Sequence, residues 1–463
     1  MAVIWVGLPV LSGCGVLGYP QGTGGNAPSP VLRPVQPPAP SQPGRDEGQH
    51  DETAADEDVP VQATLSFKVP PVRSFPEARA LWVVRTALTH PDSARVMVER
   101  AHAAGFNTLL VQVRGRGDAY YRSSLEPRAH PIQGRPSTYD PLGVVIQEAH
   151  ARGMAVHAWV NAYLVASGLT PPDQPDHLLR ARPELLAVPR SLAPSLYSRS
   201  PQDPGYAQAL LRFAADNVER VEGVYLSPAH PEVRRHLIAV LLDLLEGYPL
   251  DGIHLDYVRY PGPDHDYSVV ALDRFREWAA PRIPGTQRDE LNRGMAGGQI
   301  TAWPDALPHL WDDFRREQVT TLVRDAWYAL KARNPRLVVS AAVMANAHDA
   351  FGSRYQDWER WLQEGWLDVV VPMAYTQDDA TFSRQIREAV AAAGPDRVWA
   401  GVGVYQNSFP GALSKVRLAR REGASGVVLF SYDWTVQPQG VAAAGGDYLG
   451  RMGREAFGTD VAR

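Results

Sequence analysis

Cysteine is nearly absent: Cys14 is the sole example in 463 residues, which excludes an internal disulfide and a thiolate zinc cluster. A dominant charge is absent too. With 46 basic against 51 acidic side chains the net charge is −5, so the chain lacks the basic field that nucleic-acid partners require. No apolar run approaches the ~20 residues of a bilayer-spanning helix. No Gly-rich phosphate turn follows the first candidate strand, which argues against an open dinucleotide-binding sheet. What is present is ordinary for a globular protein: 44% hydrophobic and 21% charged residues.

The N-terminus has its own character. Residues 2–11 form a short apolar run that ends in Leu11-Ser12-Gly13-Cys14. This segment resembles a bacterial lipoprotein signal with its lipobox, although no Lys or Arg precedes the apolar run. The resemblance implies export across the plasma membrane and lipid attachment at Cys14, hence a membrane partner reached through an anchor. Residues 15–77 are rich in Gly, Pro, Gln and Ser, with an acidic patch over 46–58. Such a composition cannot bury enough apolar surface to offset chain entropy, so a disordered tether is expected. The expected division is 1–14 signal, 15–77 tether, 78–435 folded domain and 436–463 tail.

From residue 78 onward, β-rich apolar runs alternate with helical patterns. Eight strands are predicted over 81–85, 108–114, 155–161, 252–257, 337–344, 368–375, 398–405 and 426–432. Asp140 and Pro141 supply an N-cap and N1 proline for one helix; Pro231 starts another, and Val319, Leu322, Val323, Ala326 and Leu330 stripe a third. Eight β/α units close most economically as an α/β fold of the (β/α)8 TIM-barrel type. Two connections are unusually long, from Leu164 to about His230 and from Gly262 to about Leu310. Both follow C-terminal strand ends, where a barrel builds its active site, and both are expected to wall a cleft.

Those strand ends carry polar and aromatic residues. The segment Asp251 to Pro261 reads DGIHLDYVRYP and delivers Asp256 to the end of strand four, with Tyr257 and Arg259 beside it. Arg85 ends strand one; strand two carries Gln112, Arg114, Arg116 and Asp118; His157, Trp159, Asn161 and Tyr163 alternate along strand three. Tyr375 and Asp378 follow strand six, Tyr405 strand seven, and Asp433 and Trp434 strand eight. Rings and amides gathered on one rim suit a sugar, whose CH faces stack and whose hydroxyls take hydrogen bonds.

Three strings then become specific: YDPLGVVIQEAHARGMAVHAWVNAY from Tyr139, DGIHLDYVRYP, and EGWLDVVVPMAYTQ from Glu364. Together with YYRSSLEP from Tyr120, they resemble the glycosyl hydrolase-like family of bacterial envelope proteins, formerly a domain of unknown function. The resemblance spans about 78–434. It implies a (β/α)8 barrel and glycosidase activity on cell-wall peptidoglycan or related envelope polysaccharide, with Asp256 in the place of the family's strand-four acid. Where some members carry a second acid next to it, this chain has Tyr257. A likeness to chitinases is more distant: His254 and Val258 stand where their middle Asp and catalytic Glu would be.

Sugar-bond hydrolysis ordinarily needs two carboxyl groups, ~5–5.5 Å apart for retention and ~6.5–9.5 Å for inversion. Asp256 is expected as nucleophile or base, kept ionised by Arg259 or Arg85. Asp378 is expected as the second acid, with Asp433 and Asp118 as competitors. Arg85, Arg114, Trp159, Asn161, Tyr163, His254, Tyr257, Arg259, Tyr375, Tyr405 and Trp434 are expected to touch substrate, His254 alternatively orienting Asp256. Asp264, His265 and Asp266 are consecutive and are expected to form a solvated loop, not a metal site. No metal or cofactor is expected. A non-catalytic glycan-binding lipoprotein is the competing expectation.

Overall fold

The computed structural model describes residues 76–437 and 447–458; the signal and tether expected at 1–77 lie, but for their last two residues, outside them. Eight parallel strands form a closed barrel: β1 (Ala78–Val83), β2 (Thr108–Arg114), β3 (Ala155–Asn161), β4 (Gly252–Asp256), β5 (Val338–Met344), β6 (Val369–Met373), β7 (Trp399–Gly403) and β8 (Gly426–Phe430). Each strand pairs with its neighbours in sequence, and β1 closes on β8 with Ala78 opposite Gly426. Helices surround the ring, as the (β/α)8 expectation requires. The first strand starts three residues earlier than the apolar pattern suggested. Its pairing with both β2 and β8 sets that register, and Arg85 falls just beyond it, in the 3-10 turn Arg85–Leu88.

Strands buried on both faces are near-continuous in Val, Leu and Ala. Their inward side chains, among them Ala80, Trp82, Leu110, Trp159, Ala342, Val371 and Val428, fill the lumen. Gly401 makes room for Trp82, since a Cβ there would lie 3.1 Å from the indole and 2.6 Å from the Pro372 carbonyl oxygen. The outward side chains join the helices in a second, larger core. Helix starts follow the expected cap chemistry: Asp140 accepts from the Gly143 N–H at 3.1 Å, and Pro231 opens Pro231–Gly247. Residues 447–458 also pack on the barrel, with Phe457 against Phe106 at 5.2 Å and Tyr448 against Phe409 at 5.2 Å. The folded body therefore continues past 435.

The two long connections are ordered. In the first, Leu164–Ala166 pairs antiparallel with Val224–Tyr225, so the chain returns to the end of β3 after some sixty residues, as the pairing Leu164 opposite Tyr225 shows. The second contains the helices Val269–Ala279 and Gly285–Ala296. Asp266 joins them. Its buried carboxylate accepts from the Val188 N–H at 2.9 Å and from the Ser268 N–H at 2.8 Å. The expected solvated loop is thus overturned at two of its three residues: His265 and Asp266 are buried, and only Asp264 is exposed.

Candidate active site

Asp256 ends β4 opposite Asn161 of β3. The next residue, Tyr257, has φ 49°, in the left-handed region that side-chain-bearing residues seldom occupy. That turn points the Tyr257 N–H back onto the Asp256 carboxylate, Oδ1 accepting at 2.6 Å. Strained backbone of this kind persists where the surroundings enforce it, often at functional sites. Asp256 itself is 7% exposed. Burial pushes its carboxyl up to about 6, against the opposing pull of Arg259, the Tyr257 N–H and the Trp159 indole. The expectation that Arg259 keeps Asp256 ionised is corrected to that extent: the cation lowers the carboxyl, but desolvation outweighs it.

A residue not singled out from the sequence completes the centre. Glu222 precedes the returning strand Val224–Tyr225 and accepts from Arg259 Nη2 at 2.8 Å and from the Tyr225 hydroxyl at 2.8 Å. Desolvation raises its carboxyl, but Arg259 first, then Arg354 and the Tyr225 hydroxyl outweigh it and hold Glu222 down at about 2, although its side chain is 34% exposed. Its charge in turn acts on Asp256 and Tyr257, raising both. Arg259 is buried and lies over the Tyr257 ring at 4.8 Å, so one cation serves both carboxyl groups. The only sequence signal for Glu222 was its place just before the VYL run in a long insertion.

The structure gathers several of the other expected residues at the same mouth. Tyr375, Tyr405 and Trp434 are half-buried and form a wall with Phe430, Tyr375 lying 5.5 Å from Phe430 and 5.9 Å from Tyr405, and Trp434 5.9 Å from Tyr405. Arg85 Nη1 donates to Gln112 Oε1 at 2.8 Å; Gln112 in turn reaches Asn161 Oδ1 at 3.5 Å. Asn161 is buried, its amide donating to the Gly115 carbonyl at 2.9 Å, so it braces the rim from below. Trp159 is 3% exposed and fills the lumen beneath Asp256, which makes it a support for the carboxyl, not a platform for sugar.

Four expected site residues are placed elsewhere. Arg114 is fully buried: a register shift between Gln112 and Arg114 re-aims it, and its guanidinium donates to the Ala162 carbonyl at 2.9 Å and pairs with Glu126 at 2.8 Å. Tyr163 is 1% exposed and belongs to the outer core. His254 sits deep in the lumen between Trp82, whose indole donates to Nε2 at 3.1 Å, and Ser340 at 3.0 Å from Nδ1, so it does not orient Asp256. Desolvation first, then His157, pulls it down to about 3, and it remains neutral. Asp378 lies exposed on the rim as an N-cap, accepting from the Thr381 N–H at 2.7 Å, and its charge is set by that cap and by Lys415. An exposed carboxyl held below the ordinary range is poorly suited to carry a proton at neutral pH.

The Arg114–Glu126 pair yields an expected result. Glu126 is held down at about 2, against desolvation, chiefly by Arg114 and then by His236, which sits 2.7 Å away. Arg114→Met leaves that carboxylate buried with half its partners, which costs about 3–5 kcal/mol of unfolding free energy. Urea denaturation at pH 7 measures it; a loss below about 1 kcal/mol contradicts the strut role.

An acid at the end of the fourth strand of a TIM barrel, with a wall of tyrosines and a tryptophan at the ends of strands six to eight, defines a glycosidase-like barrel protein. Residues 77–407 match the family described as glycosyl hydrolase-like 10, and the chain belongs to that family. Two curated relatives are similar to it. The glycosyl hydrolase YngK of Bacillus subtilis is 24% identical over 299 residues, 60% of this chain and 48% of that protein. The glycosyl hydrolase DigH of Escherichia coli is 24% identical over 372 residues, 72% of this chain and 74% of that protein. The chain thus spans about half the length of the first and three quarters of the second. Among solved structures, the glycoside hydrolase domain of PgaB from Bordetella bronchiseptica shares the fold with a TM-score of 0.56 at 16% identity, over 80% of this chain and 98% of that one. A β-galactosidase from Rahnella sp. R3 does so with 0.54 at 17% identity, over 84% and 57%.

Proposed function

We propose that this protein hydrolyses glycosidic bonds in bacterial cell-wall peptidoglycan or a related envelope polysaccharide, with Asp256 as proton donor and Glu222 as its ionised partner. The observation that carries the reading is a pair of carboxyl groups that share the buried Arg259 cation, 2.8 Å from Glu222, yet sit in different environments. Asp256 is pushed up to about 6 and Glu222 held at about 2, so one carries a proton where the other carries charge. Protonation of the leaving oxygen by Asp256 builds positive charge on the sugar ring; the Glu222 carboxylate stabilises that charge or activates the attacking water. Tyr375, Tyr405 and Trp434 offer ring faces to the sugar. Trp159 and Asn161 act through the rim they support.

Localisation follows from the N-terminal pattern. Cys14 carries the lipid in this reading, and the protein is exported across the plasma membrane and held in the cell envelope by that anchor. The aromatic wall would serve a non-catalytic glycan binder equally well. Incubation with peptide-free glycan strands separates the two: new reducing ends are expected, with kcat/KM falling about tenfold per pH unit above pH ~6 as Asp256 loses its proton. Binding without any new reducing ends would leave the non-catalytic alternative.

A further inference from the structure

Arg85 and Arg116 are two cations on one side of the same mouth. Arg85 lies flat on the backbone of Gly115: a Cβ at that position would meet Arg85 Cδ at 2.7 Å and Nη1 at 2.9 Å. The residue after Gly115 is Arg116, so the Arg85 side chain, reaching over from the 3-10 turn Arg85–Leu88, crosses the turn from which Arg116 leaves. Gln112 fixes the first through Nη1 at 2.8 Å, and the Thr170 hydroxyl fixes the second through Nη1 at 2.8 Å. His177 Nε2, 2.7 Å from the Arg116 carbonyl oxygen, holds the turn between them.

What the pair lacks is a counter-charge in contact. Among the described residues neither guanidinium has a carboxylate oxygen within 4.0 Å, whereas the buried Arg114, Arg259 and Arg315 each pair with one. Asp118 is the acid nearest in charge, and its Oδ1 is engaged by the Arg116 N–H at 2.9 Å. Both side chains are only half-buried, so part of each five-donor fork still faces outward. Burial first, then the neighbouring Arg85 cation, lowers Arg116 to about 10, with Asp118 acting in the opposite direction. Holding two like charges together in a partly desolvated cleft is unfavourable unless an anion completes the set.

The position is close to the reacting carboxyl. Arg85 acts electrostatically on Tyr257, whose N–H binds Asp256; Gln112 links Arg85 to Asn161, the strand partner of Asp256. We propose that Arg85 and Arg116 form a carboxylate-binding subsite that selects an acidic sugar, placing its anionic substituent beside the bond presented to Asp256. This rests on the hydrolase reading for the purpose of the subsite, though not for its existence. A sugar carboxylate can accept two N–H groups from one fork and a third from the other, geometry that lysine would not reproduce. The carboxylate could be a lactyl ether on an amino sugar or the C6 acid of a hexuronate.

The test is binding to the full chain carrying Asp256→Asn, so that turnover does not consume the probe. Four glycan probes are compared: peptide-free N-acetylmuramate strands, a hexuronate-containing chain, and each of these with its carboxyl groups reduced to alcohols. One carboxylated chain is expected to bind about tenfold or more tighter than its reduced form at low salt, the preference shrinking as salt rises. The arm that shows this identifies the source of the carboxylate. Adding Arg116→Gln or Arg85→Gln is expected to cut the preference to about twofold or less, with the reduced chain bound as before. Equal binding of carboxylated and reduced chains in both arms, or a preference untouched by either substitution, overturns the subsite. If the preference holds while the unsubstituted protein releases no reducing ends from the preferred chain, the hydrolase reading fails and the subsite stands.

Discussion

Asp256→Asn is expected to lower kcat on a cleavable glycan by about 10³-fold while leaving glycan affinity within about threefold. The amide keeps the volume of the side chain and can still accept from the Tyr257 N–H, which sits 2.6 Å from Oδ1. It cannot deliver a proton to a leaving oxygen. The same variant is expected to be more stable than the parent at pH 7. The sign follows from linkage: the folded carboxyl titrates near 6, above its unfolded value, so the folded state binds the extra proton. Its contribution to stability is full below the unfolded value, is lost as pH rises from about 4 to 6, and leaves a deficit of about 2–3 kcal/mol at neutral pH. Asparagine removes that deficit. Thermal unfolding at pH 7 and pH 4 should therefore show a gain at the first and little difference at the second. An inactive variant that is also destabilised at pH 7 would point to a structural role for Asp256. Asp378→Ala serves as the contrast, since it removes a helix cap worth about 1 kcal/mol and should leave kcat nearly intact.

Glu222→Gln is expected to lower kcat by about 10²-fold and to move the alkaline limb of the pH profile to lower pH. Glutamine can keep bonds to Arg259 and Tyr225, whose contacts with Glu222 are 2.8 Å each. What disappears is the charge. In the parent, Glu222 raises the Asp256 carboxyl and Arg259 lowers it; with Glu222 neutral, the Arg259 cation acts unopposed. Both changes favour the ionised form of Asp256, so the proton donor is lost at a lower pH. Steady-state kinetics from pH 4 to 8 measures both effects. An unchanged kcat with an unchanged limb would remove Glu222 from the chemistry and leave it a surface partner of Arg259.

The contrast between these two residues shows what the amino-acid order discloses. All eight strands were legible because buried parallel strands are runs of Val, Leu and Ala between helical repeats. Asp256 was legible because DGIHLD places one acid at the end of such a run. Depth along a strand was not. His254 and Tyr163 share the alternation of residues at the mouth, yet one packs in the lumen and the other in the outer core. Arg114 escaped because a one-residue register shift turned it outward to Glu126. Asp378 has the same local pattern as a catalytic acid after a strand and as a helix cap; its exposure settles on the cap. Glu222 was hidden for a topological reason. It reaches the centre only because an antiparallel pairing folds a long insertion back on itself, and no local periodicity announces a contact made across such a distance in sequence.

The most direct measurement is the titration of the Asp256 carboxyl itself, followed by carbon NMR with Asp256→Asn as the blank. A midpoint near pH 6 that falls when Glu222 is replaced by Gln is the result expected if a buried proton donor stands beside a fixed anion. A midpoint below pH 4, indifferent to Glu222, would contradict it.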